Sequence, residues 1–218
     1  MIAFLSFYWL HNMAQYFDIH PDNPQRRLVQ QAVAIIDRGG LIIYPTDSSY
    51  ALGCHIGDKT AMERIQRIRR TDKDHHFTLV CSDLSEIGTY AKVSNADYRL
   101  MKNLTPGPYT FLLKATSVVP RRLMNPKRKT IGVRVPANNI VQALLQELGQ
   151  PIMSSTLIPP EGSIPLDDAE EIRERYEHEV DLVINGGSCG LEPTTVVSLI
   201  EEYPAILRQG KGDIAFLD

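Results

Sequence analysis

The sequence predicts an α/β fold of the α+β type, in which helices flank a mixed sheet. Segments with the apolar spacing of amphipathic helices alternate along the chain with short runs of apolar and β-branched residues. The segments between these runs differ in length, which favours a mixed sheet over an all-parallel one. With 218 residues, 43% of them hydrophobic, the chain is long enough to bury a sizeable core.

The first helix is predicted in the segment NPQRRLVQQAVAIIDRGG, which begins at Asn23. Asn23 is a suitable N-cap, Pro24 suits the first helical position, and Gly39 suits the position after the C-cap. Leu28 and Ala32 share a face with the isoleucines that follow them. The apolar run LIIYP then predicts a buried strand that ends at a proline.

The rest of the chain continues this alternation. Helices are predicted in the segments DKTAMERIQRIRR, DLSEI, NNIVQALLQELGQ and DDAEEIRERYEHEV. Strands are predicted in the segments FTLVC, TPGPYTFLLKA, TIGVRVP, PIMSST, DLVINGG, TTVVSLI and PAILRQG. Asp83 and Glu86 have the spacing of a capping box, and Gly149 is expected to end its helix.

Residues 15–218 are expected to form a single domain, because no linker, repeat or low-complexity stretch interrupts them. Residues 1–14 are expected to be a disordered or misassigned N-terminal extension. The apolar stretch MIAFLSFYWLHN has no basic segment or signal cleavage site, and it is shorter than the roughly 20 residues that span a bilayer. We therefore expect a cytoplasmic protein without a membrane partner.

Bulk charge and cysteine content exclude several classes of function. The net charge is −3 and the pI is about 6.1, so nucleic-acid binding would require a local basic patch. The three cysteines, Cys54, Cys81 and Cys189, form no CxxC pair. They indicate a reducing compartment and buried, inert thiols rather than a structural metal site.

The segment PTDSSY, residues 45–50, places hydroxyl groups and a carboxylate directly after a predicted strand. Such side chains often satisfy the hydrogen bonds of their own turn or cap the next helix. A polar run of this length, closed by Tyr50, also favours a ligand site at the end of the strand.

The basic run RIRRTDKDHH contains a second group of candidate residues. Cations near the end of a helix interact favourably with the helix dipole, and a charge run usually forms a solvated face. Arg67 and Arg69 would instead converge if the helix ended between them. Paired guanidinium groups are suited to bidentate contact with a phosphate or a carboxylate.

Other polar residues lie within or beside predicted strands. Thr110 follows a Pro-Gly turn, Ser155 lies in a run of three hydroxyls, and Thr194 and Arg208 lie near the C-terminus. Arg134 lies in an otherwise apolar strand, where it either meets a carboxylate or lines a cavity. Common nucleotide, hydrolase and zinc motifs are absent from the sequence. These residue types indicate a phosphate- or carboxylate-binding α/β domain.

Several of these segments occur in a characteristic order, which extends over about residues 15–212. The ordered motifs are YPTDSSYALG, RIRRTDKDHHFTL, TPGPYTFLL, IGVRVP, PIMSST, DLVINGG, PTTVV and ILRQG. In this order they resemble the YrdC-like family, and within it the YciO branch. The resemblance implies a twisted, open sheet with flanking helices and a concave basic cavity. It also implies synthesis of threonylcarbamoyl-AMP from L-threonine, bicarbonate and ATP, with Mg²⁺, for the modification of tRNA.

The resemblance further implies roles for individual residues. The residues implied to be catalytic are Arg67, Arg69 and Ser155. The residues implied to bind substrate and nucleotide are Thr46, Ser48, Tyr50, Thr110, Arg134, Thr194 and Arg208. No protein ligand to a metal is implied.

The chain departs from the family pattern within the same motifs. Leu157 stands in place of the Asn of a Ser-x-Asn motif, Arg67 in place of Lys, and Phe77-Thr78 in place of Pro-Leu. These changes leave three functions open. The chain is a threonylcarbamoyl-AMP synthase with weak activity, a non-catalytic paralogue that binds tRNA or double-stranded RNA in the same cavity, or an adenylating enzyme with another small acceptor.

Overall fold

One mixed sheet of eleven strands organises the protein, which is described here by a computed structural model covering residues 13–70, 77–125 and 127–217. The strands are β1 (Gln15–Asp18), β2 (Ile42–Tyr44), β3 (Ala51–His55), β4 (Thr78–Val80), β5 (Ala91–Lys92), β6 (Tyr109–Ala115), β7 (Thr130–Arg134), β8 (Ile152–Thr156), β9 (Leu182–Asn185), β10 (Thr195–Ser198) and β11 (Ala205–Arg208). The helices are α1 (Arg26–Asp37), α2 (Lys59–Arg69), α3 (Leu84–Tyr90), α4 (Asn95–Leu104), α5 (Asn139–Leu148) and α6 (Ala169–Tyr176).

The strands follow the spatial order β1-β9-β2-β3-β8-β4-β7-β6-β10-β11, and β5 pairs with β6 beside this path. The pairs β1/β9, β2/β9, β4/β7 and β6/β10 are parallel. The pairs β2/β3, β3/β8, β4/β8, β6/β7 and β10/β11 are antiparallel. The predicted mixed sheet is therefore confirmed.

Helices cover both faces of the sheet. One core cluster joins the sheet to α2, α3 and α6 through residues such as Ile65, Ile87 and Ile172. A second cluster joins the sheet to α1 and α5 through residues such as Ile36 and Leu144. Because α1 and α5 pack mainly beside β2, β3 and β9, part of their face of the sheet remains open.

The helix ends only partly follow the sequence pattern. Gly39 has φ +82° after α1, and Gly149 has φ +68° at the C-cap of α5, as predicted for left-handed positions. The predicted N-cap at Asn23 is wrong, because α1 begins at Arg26 after the N-cap Gln25. The Asn23 N–H instead donates to His20 Nδ1 at 3.2 Å, which places Asn23 in the preceding turn.

The predicted capping box of α3 forms only in part. Asp83 is the N-cap, and its carboxylate accepts from the Glu86 N–H at 2.8 Å. The Glu86 carboxylate accepts from the Ser82 N–H at 2.6 Å, one residue before the N-cap. Both carboxylates therefore stabilise the first turn of the helix.

Most of the predicted N-terminal extension, residues 1–12, lies outside the described residues. Ala14 is buried, and its N–H donates to Glu177 O at 2.7 Å. Ala14 therefore packs with the domain, and the extension predicted for residues 1–14 stays a prediction. In the three described ranges, no helix has the length and apolar character needed to cross a membrane.

Candidate functional site

A cavity of about 630 Å³ opens on the uncovered part of the sheet. Its volume lies in the range of small-molecule sites. The cavity brings together predicted site residues that are far apart in the sequence. The predicted site residues that line it are Arg69, Thr110, Arg134, Ser155, Thr194 and Arg208.

The pairing register of β7, β6, β10 and β11 determines which side chains lie together at one end of this cavity. Val196 of β10 pairs with Thr110 of β6 on one side and with Arg208 of β11 on the other. On β7, Val133 pairs with Phe111, which brings Arg134 level with Thr110. Arg134, Thr110 and Arg208 therefore lie in one row across neighbouring strands, although their motifs are distant in sequence.

Hydrogen bonds connect the polar residues of this row. The hydroxyl groups of Thr110 and Thr194 are 2.8 Å apart, and both residues are buried. Arg208 Nη2 donates to Thr194 O at 2.9 Å, and its Nε donates to the same oxygen at 3.2 Å. Partial burial lowers the pKa of Arg208, and the neighbouring Arg134 lowers that pKa further. The guanidinium group is thus fixed in orientation with few compensating charges nearby.

Arg134 both meets a carboxylate and lines the cavity, so the two alternatives predicted for it occur together. Its Nη2 forms an ion pair with Asp47 Oδ1, and its Nη1 donates to Ser48 Oγ at 3.4 Å. The second carboxylate oxygen of Asp47 accepts from the Ala137 N–H at 2.9 Å. Lys211 Nζ donates to Asp47 O at 2.6 Å. Asp47 therefore connects the loop after β2 with the end of β7 and with the C-terminal segment.

The segment PTDSSY forms the loop that carries Asp47, and of its residues Ser49 lines the cavity. Thr46 Oγ1 donates to Ser49 O at 2.7 Å and accepts from the N–H groups of Ser48 and Ser49, both at 3.2 Å. Tyr50 is fully buried, and its hydroxyl donates to Gly187 O at 2.9 Å. Burial raises the pKa of Tyr50, so the phenol stays protonated. Thr46, Ser48 and Tyr50 hold the loop, and none of them is among the residues that line the cavity.

The structure separates the two arginines that were predicted to converge. Helix α2 runs through Arg69, so Arg67 and Arg69 are about 200° apart around its axis. Arg69 lines the cavity, and its Nη1 donates to Ile158 O. Arg67 is exposed and lines smaller depressions outside the cavity, beside Ile68 and Glu179. The catalytic role of Arg67 stays a prediction without support from this placement, and residues 71–76 lie outside the described ranges.

Strand β8 positions the hydroxyl run. Ser155 is buried, pairs with Leu52 and lines the cavity. Leu157, which replaces the amide of the family motif, is fully buried in the core cluster that includes Leu52. Phe77 and Thr78, the other substituted pair, line the cavity. Phe77 is itself only 2% exposed and belongs to the same core cluster as Leu157, so position 157 gives the cavity no amide and Phe77 gives it no exposed ring.

Sequence reasoning missed several cavity residues. Asn125, Arg128 and Thr130, at the hairpin between β6 and β7, line the cavity without belonging to any motif singled out above. A signal was present in the segment NPKRK, since Asn followed by cations is typical of a polar turn. Asp47, which pairs with the cavity residue Arg134, was also not among the predicted site residues, although it lies inside the segment PTDSSY.

Two cavity arginines keep unpaired hydrogen-bond donors. Arg69 Nε and Arg134 Nε are buried and have no hydrogen-bond partner among the described residues. Burial of a charged donor without an acceptor is costly. Burial also lowers the pKa of Arg69. Because both Nε atoms are inaccessible, any contact of these arginines with a ligand in the cavity would use other atoms of their guanidinium groups.

The model of the Sua5/YciO/YrdC family, which carries the description telomere recombination, matches residues 34–210. The chain belongs to this family. The match confirms the resemblance inferred from the ordered motifs. The chain is 57% identical to the YciO protein of Escherichia coli strain K12 over 202 residues, which cover 93% of this chain and 98% of that protein. It is 32% identical to a threonylcarbamoyl-AMP synthase of Nitrosococcus oceani, over 72% of this chain and 85% of the synthase.

Solved structures show the same fold. The crystal structure of E. coli YciO superposes with a TM-score of 0.90 at 57% identity, covering 93% of this chain and 98% of that chain. The crystal structure of P. abyssi Sua5 complexed with L-threonine superposes with a TM-score of 0.82 at 26% identity. It covers 89% of this chain and 57% of the Sua5 chain. The predicted open, YrdC-like sheet is thereby confirmed.

Proposed function

We propose that this chain synthesises L-threonylcarbamoyl-AMP from L-threonine, bicarbonate and ATP, and releases pyrophosphate. One observation carries the proposal. The cavity collects Arg69, Arg134 and Arg208 around buried hydroxyl groups in a family that includes threonylcarbamoyl-AMP synthases. Its Sua5 relative was crystallised with L-threonine, which supports an amino acid as one of the ligands.

The reaction requires charge stabilisation rather than a protein nucleophile. The amino group of L-threonine and bicarbonate give a carbamate and water. A carbamate oxygen then forms a bond to the α-phosphorus of ATP as the bond from that phosphorus to the bridging oxygen of the β-phosphate breaks. Negative charge grows on the phosphoryl oxygens and on the leaving pyrophosphate, and positioned guanidinium groups stabilise it.

The residues at the Thr110 end of the cavity are suited to the α-phosphate. Arg208 is oriented by two hydrogen bonds to Thr194 O, and the Thr194 hydroxyl is shared with Thr110. Arg134 is oriented by Asp47 and lines the same end of the cavity. Preorganised donors of this kind lower the energy of the charged transition state without having to reorient during the reaction.

Mg²⁺ would enter this site as part of its substrate, Mg–ATP. Among the residues that the structure describes, the polar side chains that line the cavity provide hydroxyl, guanidinium and amide groups and no carboxylate. Across the described ranges there is also no group of three His, Cys, Asp or Glu side chains that could hold a metal ion. The phosphate oxygens of ATP are the ligands that Mg²⁺ prefers, and they supply what the cavity side chains lack.

The substituted positions lead us to propose a low rate. Leu157 cannot donate a hydrogen bond to the phosphates or to the carbamate, and it lies in the apolar core. Phe77 lies in the same core cluster. An amino acid of another shape is the first alternative acceptor, since the residues at these two positions depart from the family pattern.

The product is the most specific test of this proposal. The purified protein would be incubated with ATP, Mg²⁺, L-threonine and ¹³C-bicarbonate, and the adenylate identified by mass spectrometry. We expect ¹³C-labelled threonylcarbamoyl-AMP from the wild type and none from Arg208→Ala. The control Arg38→Ala, at an exposed arginine that forms the C-cap of α1, should give the wild-type amount. Absence of the adenylate from the folded wild type would contradict the proposal.

RNA binding is the second candidate function. The hairpin between β6 and β7 carries a run of exposed cations, which are Arg121, Arg122, Lys127, Arg128 and Lys129. Such a patch attracts phosphate backbones through counterion release. Titration of tRNA and double-stranded RNA at several salt concentrations would show a steep decrease of affinity with salt if this patch binds RNA. A salt-independent affinity would exclude this patch as the RNA site.

A further inference from the structure

The loop that follows β9 is held by the carboxylate of Asp167, which lies one residue before the N-cap of α6. Asp167 Oδ1 accepts from the N–H groups of Cys189 and Gly190 at 2.6 and 2.7 Å, and the Ser188 hydroxyl donates to Oδ2. Although desolvation raises the pKa of Asp167, these hydrogen bonds lower it overall, so the carboxylate is ionised near neutral pH. One charged side chain therefore fixes three successive residues of this loop. Asp167 was not among the predicted site residues.

Cys189 and Gly190 in turn pack against the segment PTDSSY. Gly190 has φ +101°, and an ideal Cβ at this position would lie 3.3 Å from Ser48 O, so the position favours glycine. Burial raises the pKa of the Cys189 thiol to about 12, and a hydrogen bond with the Thr46 main chain opposes this shift, which places the thiol beside Thr46. The residues that Asp167 fixes therefore contact both sequence neighbours of Asp47.

Asp47 completes the connection to the cavity. Its carboxylate forms the ion pair with Arg134 Nη2, and its carbonyl oxygen accepts from Lys211 Nζ at 2.6 Å. Arg134 lines the cavity, whereas Asp167 and the loop residues that it holds do not. Any effect of Asp167 on a ligand in the cavity must therefore pass through the two loops to Asp47 and Arg134.

We propose that Asp167 is a positioning residue for the cavity: its carboxylate holds residues 188–190 against the loop that carries Asp47, and so keeps Arg134 in its orientation. This inference rests on the proposed function, in which Arg134 binds an anion. The three donors come from successive residues of one loop, and a carboxylate has the acceptor sites to satisfy all of them at once. Asp167 thus acts on the ligand without touching it.

Calorimetric titration of ATP into three variants tests this role. Asp167→Ala removes all three acceptor bonds, whereas in Asp167→Asn the amide oxygen still accepts from both N–H groups. The matched control is Asp168→Ala, because the Asp168 carboxylate also accepts from two N–H groups, those of Glu170 and Glu171 at 2.9 Å, but these belong to α6. We expect ATP affinity to fall about tenfold in Asp167→Ala, since Arg134 is no longer held in place, and to stay at the wild-type value in Asp167→Asn and Asp168→Ala.

A merely stabilising role would make the two alanine variants alike. Wild-type ATP affinity in Asp167→Ala, or equal weakening in Asp167→Ala and Asp168→Ala, would overturn the proposal. An Asp167→Asn variant as weak as Asp167→Ala would overturn it too, because the negative charge rather than the hydrogen bonds to the loop would then matter. A wild type that binds no ATP would overturn the proposed function instead, and Asp167 would then be tested without a ligand.

A double-mutant cycle in urea denaturation provides that test. If Asp167 acts through the loop that carries Asp47, the double variant Asp167→Ala/Asp47→Asn should lose at least about threefold less in the folding equilibrium constant than the product of the two single effects. The pair Asp168→Ala and Asp47→Asn should give the product itself, because Asp168 holds α6 rather than the loop. Multiplicative effects in both pairs would overturn the proposal.

Discussion

Asp47 and Arg134 form an ion pair in which the two side chains are only 9% and 8% exposed. Asp47 lies in the loop after β2 and Arg134 lies at the end of β7, 87 positions later in the chain. The carboxylate keeps a guanidinium group oriented inside the cavity, where an unpaired buried charge would be strongly unfavourable. The site therefore depends on a residue that does not itself line the cavity.

Removal of this negative charge should destabilise the fold. In Asp47→Asn, the shape of the side chain is kept while Arg134 loses its counter-charge, so the free energy of unfolding should fall by about 3 kcal/mol. Urea denaturation measures the change. The matched control is Glu63→Gln, whose ion pair with Lys59 is 52% and 71% exposed and should contribute less than about 0.5 kcal/mol. Equal unfolding midpoints for Asp47→Asn and the wild type would contradict this account.

Restoring the family amide at position 157 should damage the fold rather than improve the site. Leu157 is fully buried in an apolar cluster, so Leu157→Asn loses apolar burial and buries an amide without a partner. We expect the free energy of unfolding to fall by about 3 kcal/mol in urea denaturation. Leu207→Asn, at a side chain that is 58% exposed, should change it by less than about 0.5 kcal/mol. A stable Leu157→Asn variant with a higher rate of adenylate formation would show that this position faces the ligand.

Geometry as well as charge should matter at Arg208. Arg208 uses Nε and Nη2 together on Thr194 O, a fork that a lysine ammonium cannot reproduce. In Arg208→Lys we expect ATP affinity to fall about tenfold, measured by calorimetry, because the cation is retained but not oriented. The control Arg99→Lys changes an exposed arginine on α4 and should bind ATP normally. Unchanged ATP affinity in Arg208→Lys would mean that only the charge is used.

The thiol of Cys189 should make stability depend on pH in the alkaline range. Partial burial raises the pKa of Cys189 from 9.0 to about 12. The unfolded chain therefore loses this proton at lower pH than the folded chain, and stability falls as pH rises from 9 towards 12. Urea midpoints measured at about pH 8 and about pH 10.5 should differ less in Cys189→Ala than in the wild type. The same decrease in both proteins would assign the effect to the other buried thiols, Cys54 and Cys81, and to the tyrosines, and would contradict a role for Cys189.

The sequence pattern predicts much of the fold because it records local burial and backbone geometry. The alternation of apolar runs identifies the core strands, and Gly39 and Gly149 mark helix ends through their positive φ angles. The N-cap of α1 could not be predicted from the sequence pattern in the same way. Asn23 has the right chemistry, but His20 accepts its N–H and holds it in a turn before the helix.

Site residues were predictable from the sequence where a residue type is stable in only a few kinds of environment. An arginine in an apolar strand, Arg134, had to meet a carboxylate or a cavity, and it does both. The positions of Arg67 and Arg69 depend on where α2 ends, which composition does not reveal. Arg128 and Asn125 were not predicted, because only the pairing of β6 with β7 brings their turn to the cavity.

Threonine-dependent pyrophosphate release tests the central claim most directly. Purified protein would be assayed with ATP, Mg²⁺ and bicarbonate, with and without L-threonine, and beside an Arg69→Ala variant. The account predicts release that requires L-threonine and that is lost in Arg69→Ala, since Arg69 is one of the three arginines that the proposed function uses to bind anions in the cavity. Release at the same rate without L-threonine, or no release by the folded wild type, would contradict the account.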